Sequence, residues 1–185
     1  MHPKHPQLLE IQDELQASSD WVSRLADWAK DQDWVTRPSP DAWSASECVQ
    51  HLNATSREMV PLIIEQLGAS SRVDGTLRLR LDFMGWLIWK SSSPPAKMKF
   101  KTPAPFVPSD VRSKREDLIS WGVRQAGVLG ALDAADGHPL ARLKIVSPFD
   151  RRVRYNLYSA FRIIAAHQRR HLDQAEKVIG IVRGR

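Results

Sequence analysis

Four stretches of this chain space their apolar residues by threes and fours, and that spacing admits little besides amphipathic helices packed on one another. In the first, Leu8, Ile11, Leu15, Val22, Leu25 and Ala29 form one stripe, with Ser18 filling its gap. It stops in DQDWVTRPSPDA, where Pro38 and Pro40 cannot continue a helix. The second opens at WSASECVQHL. There Ser44 and Glu47 make the S-x-x-E pattern, in which each side chain satisfies the other residue's free backbone amide. Cys48, Leu52, Thr55, Met59 and Ile63 face inward, His51 borders them, and the helix runs to a stop near Gly68. Pro61 inside it predicts a kink. The third covers about 110–135, capped by Ser109 or Asp110, with Leu118, Trp121 or Gly122, Gln125, Val128 or Leu129, and Leu132 inward. The fourth covers about 155–182. Its stripe is Ala160, Ile164, His167, His171, Ala175, Val178 and Val182, opposite Arg162, Arg169, Arg170, Asp173 and Lys177.

Between the second and third stretches a short apolar helix is expected over 76–90. The Pro-rich SSSPPAKMKFKTPAPFVPSD then reads as an excursion wrapping the bundle. No strand shows convincing alternation. The expected architecture is all-α, a four-helix bundle with an extra short helix and a Pro-rich loop between helices two and three, as one domain over 1–185. At 185 residues and 42% hydrophobic content, the chain can bury a sizeable core.

Composition narrows the function classes. The most apolar run, FMGWLIW, falls far short of the roughly 20 residues a membrane-spanning helix needs. MHPKHPQLLEIQDEL lacks the apolar core and cleavage site of a signal peptide. Cys48 is the only cysteine, which excludes an intrachain disulfide and fits a reducing compartment. A soluble, cytoplasmic protein is expected. The net charge of +6 is modest for a nucleic-acid binder, and Arg151, Arg152, Arg154, Arg169 and Arg170 come with no aromatic platform. No nucleic acid or membrane partner is expected, and these arginines read as a solvated face or an anion site.

The chemistry lies in AAHQRRHLDQ. Residues at i and i+4 stack one turn apart, so His167 and His171 can converge on one ion. Two adjacent buried imidazoles are costly unless they share a partner, and a metal takes a lone pair from each ring. The plainer reading is two ordinary hydrogen-bonded histidines, since surface helices produce H-x-x-x-H by chance. His51 adds a third histidine near an inward face, and three histidines with an open position suit a catalytic zinc site. His2, His5 and His138 fall in termini or turns and are expected to be solvated. Cys48, on the face of His51, is either a fourth ligand or a small buried hydrophobe. Glu47 caps its helix, with a supporting or proton-transfer role as the alternative. Gln125, inward on the third helix, needs a partner and could turn toward the site.

W-S-x-x-E-x-x-x-H-L (Trp43, Ser44, Glu47, His51, Leu52), followed later by H-x-x-R-H-x-x-Q (His167, Arg170, His171, Gln174), resembles the DinB-like superfamily, which includes the YfiT-type metal-dependent hydrolases. FKTP (Phe100 to Pro103) and the His138-Pro139 pair are similar too, so the resemblance covers nearly the whole chain. It implies an up-down-down-up bundle and a divalent transition metal, zinc or nickel foremost and iron as an alternative, held by His51, His167 and His171. It also implies a small-molecule substrate, with low-molecular-weight thiols used by some relatives as transferases. After His138-Pro139 this chain continues LARLKIVSPFD without the usual glycine, so its substrate-facing loops depart from the pattern. Relatives often form homodimers, and Trp21, Trp28 and Trp34 could supply an exposed apolar patch for one here.

Two hypotheses follow. In the first, three neutral imidazoles leave the ion's charge undiminished, and a water or thiol is activated for hydrolysis or S-transfer. The alternative is a non-catalytic, metal-stabilised bundle acting as a binding or interaction module. No catalytic side chain is assigned beyond the metal ligands.

Overall fold

The computed structural model describes residues 5–73, 78–93, 102–108 and 112–184. Among them, α1 (Pro6–Trp28), α3 (Ala45–Gly68), α5 (Lys114–Ala134) and α6 (Leu157–Val182) are the long helices. Two short ones join them, α2 (Asp31–Val35) and α4 (Phe83–Ser92), together with a 3-10 turn at Ala104–Phe106. A hairpin of β1 (Lys144–Val146) and β2 (Arg154–Asn156) precedes α6. No helix among the described residues is long and apolar enough to cross a membrane.

The core divides into two clusters, and helix directions follow from which residues enter each. One holds Leu8, Ile11 and Leu15 of α1, Met59 and Ile63 of α3, Val128 and Leu132 of α5, and Leu157 and Phe161 of α6. The other holds Val22 and Leu25, Cys48 and Leu52, Trp121, and Leu172 and Ile179. Thus α1 and α6 run one way and α3 and α5 the other, which is up-down-down-up. Both α1 and α3 pack against α5 and against α6.

Local chemistry sets the boundaries. The first stripe is buried as expected, Ser18 and Ala29 included. Ser44 and Glu47 form the expected reciprocal cap of α3. That helix is continuous from Ala45 to Gly68 with Pro61 inside it. The expected caps Ser109 and Asp110 lie outside the described residues, and α5 is capped instead by Ser113 with Glu116, a second S-x-x-E. The short helix begins at Phe83, later than expected, because the Asp82 carboxylate accepts from the Gly85 amide at 2.9 Å. Half of the Pro-rich excursion, 94–101 and 109–110, lies outside the described residues.

Three expectations are corrected. The hairpin was missed, although Leu143, Ile145, Val153 and Tyr155 alternate with charged residues; it pairs Ile145 with Tyr155. DQDWV is helical, capped at its start by Asp33, whose carboxylate accepts from the Lys30 amide at 3.0 Å. The tryptophan patch is not an exposed face. Trp34 is fully buried, and its indole N–H donates to Asp117 at 3.0 Å, while Trp21 and Trp28 pack onto the second cluster. Large apolar side chains are exposed elsewhere, at Phe83, Trp86 and Leu87 on α4.

Candidate metal centre

His51 sits in the part of α3 that enters the second core cluster, beside Leu52, and His167 and His171 sit between the parts of α6 that enter the two clusters. The antiparallel packing of α3 on α6 therefore brings the three together at the waist of the bundle. One ring nitrogen from each lies within 4.8 Å of the others. Ring centroids are 4.9 Å apart for His51–His167 and 4.6 Å for both pairs involving His171. His51 is buried; the other two are half-buried at residue level.

The tautomers can be read from the partners. His51 Nδ1–H donates to the carbonyl of Phe106 at 2.8 Å, which leaves Nε2 with a free lone pair. That Nε2 faces Nε2 of His167 at 3.2 Å. His171 Nδ1–H donates to Oε1 of Gln174 at 3.1 Å, which again frees Nε2. Four nitrogens arranged tetrahedrally around zinc at about 2.0–2.1 Å stand about 3.3 Å apart. The 3.2 Å contact matches one such edge. A proton on His167 Nε2 would also satisfy that single contact, but it would not account for the third ring directed at the same point.

Electrostatics keep the lone pairs available. Burial is the main force pushing all three imidazoles below their usual range. His171 is lowered to about 3, and His167 lies well below its ordinary value, each also repelled by charge on a neighbouring histidine. The Arg170 guanidinium depresses all three further. It is anchored by donating to the Ser91 carbonyl, at the end of α4, at 2.9 Å. Neutral imidazole is the form that ligates, so burial and geometry together fit a divalent cation.

Aromatic rings wall the cluster. Trp43 lies 5.1 Å from His51 and 6.0 Å from His171, centroid to centroid. The turn between β1 and β2 delivers Phe149, which stacks on Phe106 at 4.1 Å and stands edge-on to His167 at 6.1 Å. Phe106 and Phe149 escaped the sequence reading, because the chain segments that carry them meet the histidines only in three dimensions.

Other candidates fall elsewhere. Cys48 is fully buried in the second core cluster and outside the histidine group, and burial pushes its thiol up. Burial raises the Glu47 carboxyl, but bonds from Arg37 and the Ser44 amide outweigh that and hold it below its usual value. Both its oxygens are occupied: Oε2 accepts from Arg37 Nε and from the Ser44 amide, each at 2.8 Å, and Oε1 pairs with Arg37 Nη2. Gln125 does not turn toward the site. Its amide donates to the Leu15 carbonyl at 2.8 Å and pairs with Gln168 in the core. Gln174, by contrast, acquires a role as the acceptor that orients His171. His5 caps α1 through Nδ1, and His138 Nδ1 lies 2.7 Å from the Ser70 hydroxyl, so both have partners instead of being simply solvated. His2 lies outside the described residues.

The family model for the DinB superfamily matches residues 14–175, and the chain belongs to that superfamily. Neither the curated proteins nor the solved structures give a match. The matched span contains all three histidines, the whole of α3 and α5 and most of α1 and α6, so the family and the cluster describe one object.

Proposed function

We propose that this protein is a metal-dependent enzyme in which His51, His167 and His171 hold one divalent transition ion, zinc or nickel before iron, to activate water or a low-molecular-weight thiol. The supporting observation is the convergence of three neutral imidazoles, two of them aimed by hydrogen bonds from their far nitrogens. When bound, such an ion supplies Lewis acidity, which makes a nearby water or thiol more acidic and a better nucleophile near neutral pH.

The chain's own residues shape what can react there. The Phe106 carbonyl and Gln174 fix the ring orientations of His51 and His171. Trp43, Phe106 and Phe149 present apolar surface around the cluster, which limits water and favours a small substrate with an apolar part. Arg170, held by Ser91, adds a fixed positive charge at the edge. It favours an anionic reactant, a thiolate or the oxyanion of a polarised carbonyl, over a cationic one. The group within ligating distance is three histidines and no fourth side chain among the described residues, which suits an open coordination position better than a closed structural site. A cytoplasmic setting and self-association belong to the same proposal, with Phe83, Trp86 and Leu87 of α4 as the exposed apolar surface for the latter.

Elemental analysis of untagged protein purified without added metal tests the reading. About one ion per chain is expected, reduced strongly by His51→Ala, His167→Ala or His171→Ala. Full occupancy in all three variants ends the assignment. In a cobalt-loaded sample, a thiol should shift the visible spectrum without releasing cobalt; a spectrum indifferent to thiol, anion and pH would favour the non-catalytic bundle.

A further inference from the structure

A second polar site lies on the face of α3 turned away from the histidines. Gln50, Asn53 and Arg57 follow one another at helical spacing and line a cavity of about 200 Å³. Ser120 and Arg124 of α5 and Arg112 just before it complete the polar lining. Pro105 to Pro108 close one side. Gln50 and Asn53 are nearly buried, 9% and 6% exposed, so the floor is polar and fixed. Three arginines thus line one small cavity, and no carboxylate is among the described residues that line it. Arg57 is paired with its exposed neighbour Glu58 at 2.9 Å. Arg124, although half-buried, has no hydrogen-bond or ion-pair partner among the described residues.

Arg57 keeps Glu58 and Arg112 faces the carboxylates of Glu116 and Asp117, so Arg124 is the arginine of this lining whose charge no described carboxylate offsets, and an anion in the cavity would neutralise it. The planar fork of arginine matches the geometry of tetrahedral and carboxylate oxyanions. At about 200 Å³ the cavity is below the roughly 300 Å³ at which drug-sized pockets begin, so it fits one anionic group with a few attached atoms. We propose that this cavity is a binding site for a phosphate-type oxyanion, free or carried on a small ester, held by Arg57, Arg112 and Arg124. The site adjoins the histidine cluster through one residue: Phe106 lines the cavity, and its carbonyl orients His51.

The inference is independent of the metal reading, and metal-free protein tests it. Full-length chain stripped with a chelator is titrated with inorganic phosphate at low salt, with binding followed by calorimetry and by broadening of the phosphorus resonance. Saturable binding is expected. Arg124→Gln and Arg57→Gln should each weaken it by about tenfold or more, as expected for loss of a charge-assisted hydrogen bond. Arg151→Gln, at an exposed position in the turn between β1 and β2, should leave it unchanged. The same titration with glycerol 1-phosphate separates the two sources: tighter binding than phosphate identifies an ester, and equal or weaker binding identifies the free anion. Circular dichroism confirms that each variant is folded. No saturable phosphate binding, unchanged affinity in folded Arg124→Gln, or an equal loss in Arg151→Gln would each overturn the proposal.

Discussion

Replacing Gly85 with alanine should destabilise the protein, although alanine is the better helix former. A Cβ built on Gly85 would lie 2.2 Å from the Cβ of Ser159, 2.1 Å from its Oγ and 2.7 Å from Oδ1 of Asp82. Non-bonded carbons prefer about 3.5–4.0 Å, so α4 must move off α6 by more than about 1 Å. The seam it would leave is knit by Asp82, which accepts from the Gly85 and Asn156 amides at 2.9 Å each and from the Ser159 hydroxyl at 3.2 Å. Overpacking of this kind costs about 1–3 kcal/mol, and this overlap falls at the upper end. The helix gains about 1 kcal/mol from Gly→Ala. The net loss is about 2 kcal/mol, a fall in Tm of roughly 4–8 °C for a chain of this size. Thermal unfolding followed by circular dichroism measures it. Gly122→Ala is the control: it is also helical, but nothing stands within 4 Å of its added Cβ, so Tm should rise. Ser159→Ala should not rescue Gly85→Ala, because the Cβ contact remains, whereas Ser159→Gly should recover part of the loss. A Gly85→Ala variant that melts at or above the wild type would refute the packing argument. The same displacement would also draw the Ser91 carbonyl away from Arg170, so metal affinity should change in that variant.

Glu47→Gln should cost more stability at pH 7 than at pH 3. The folded carboxyl lies below its unfolded value, so its contribution is present above the unfolded pKa and is lost as pH falls through the folded one. Arg37 is half-exposed, so the ion pair itself contributes no more than about 1 kcal/mol; denaturant melts that give the same loss at both pH values would contradict this. Gln125→Leu alone should cost about 1–3 kcal/mol by stranding Gln168. The Gln125→Leu/Gln168→Leu double variant should recover much of that, and strictly additive losses in chemical denaturation would show that the two amides do not act as a pair. Gln174→Leu should weaken metal binding by roughly 10–100-fold by removing the acceptor for His171, read by chelator competition; unchanged affinity would deny it that role. Light scattering at micromolar concentration should give twice the 21.0 kDa chain mass, with Trp86→Lys shifting it toward one; a monomer throughout would remove self-association from the proposal.

Much was legible in the chain because it is written in local periodicity. The stripe from Leu8 to Ala29, the Ser44–Glu47 cap and the face carrying His167 and His171 all follow from 3.6-residue geometry acting over a few turns. Single polar residues were less predictable. Gln125 was correctly placed inward, but sequence offered no means of choosing between the histidines and Gln168 as its partner. The short hairpin gave too few alternating residues to stand out, and α2 too few turns, while Trp34 looked like surface until Asp117 supplied a buried acceptor for its indole.

The sequence by itself determined that four amphipathic helices must pack together and that three of its histidines lie on or beside inward faces, because helical spacing alone assigns a residue to a face. Tertiary structure decided what those faces meet. The antiparallel seating of α3 on α6 put His51 opposite His167 and His171. The 3-10 turn brought the Phe106 carbonyl to His51, the hairpin brought Phe149 to the wall, and α5 brought Arg124 to the cavity that Arg57 also lines. Those contacts join residues far apart in the chain, and their energies depend on distances of a few ångströms that helical spacing does not set.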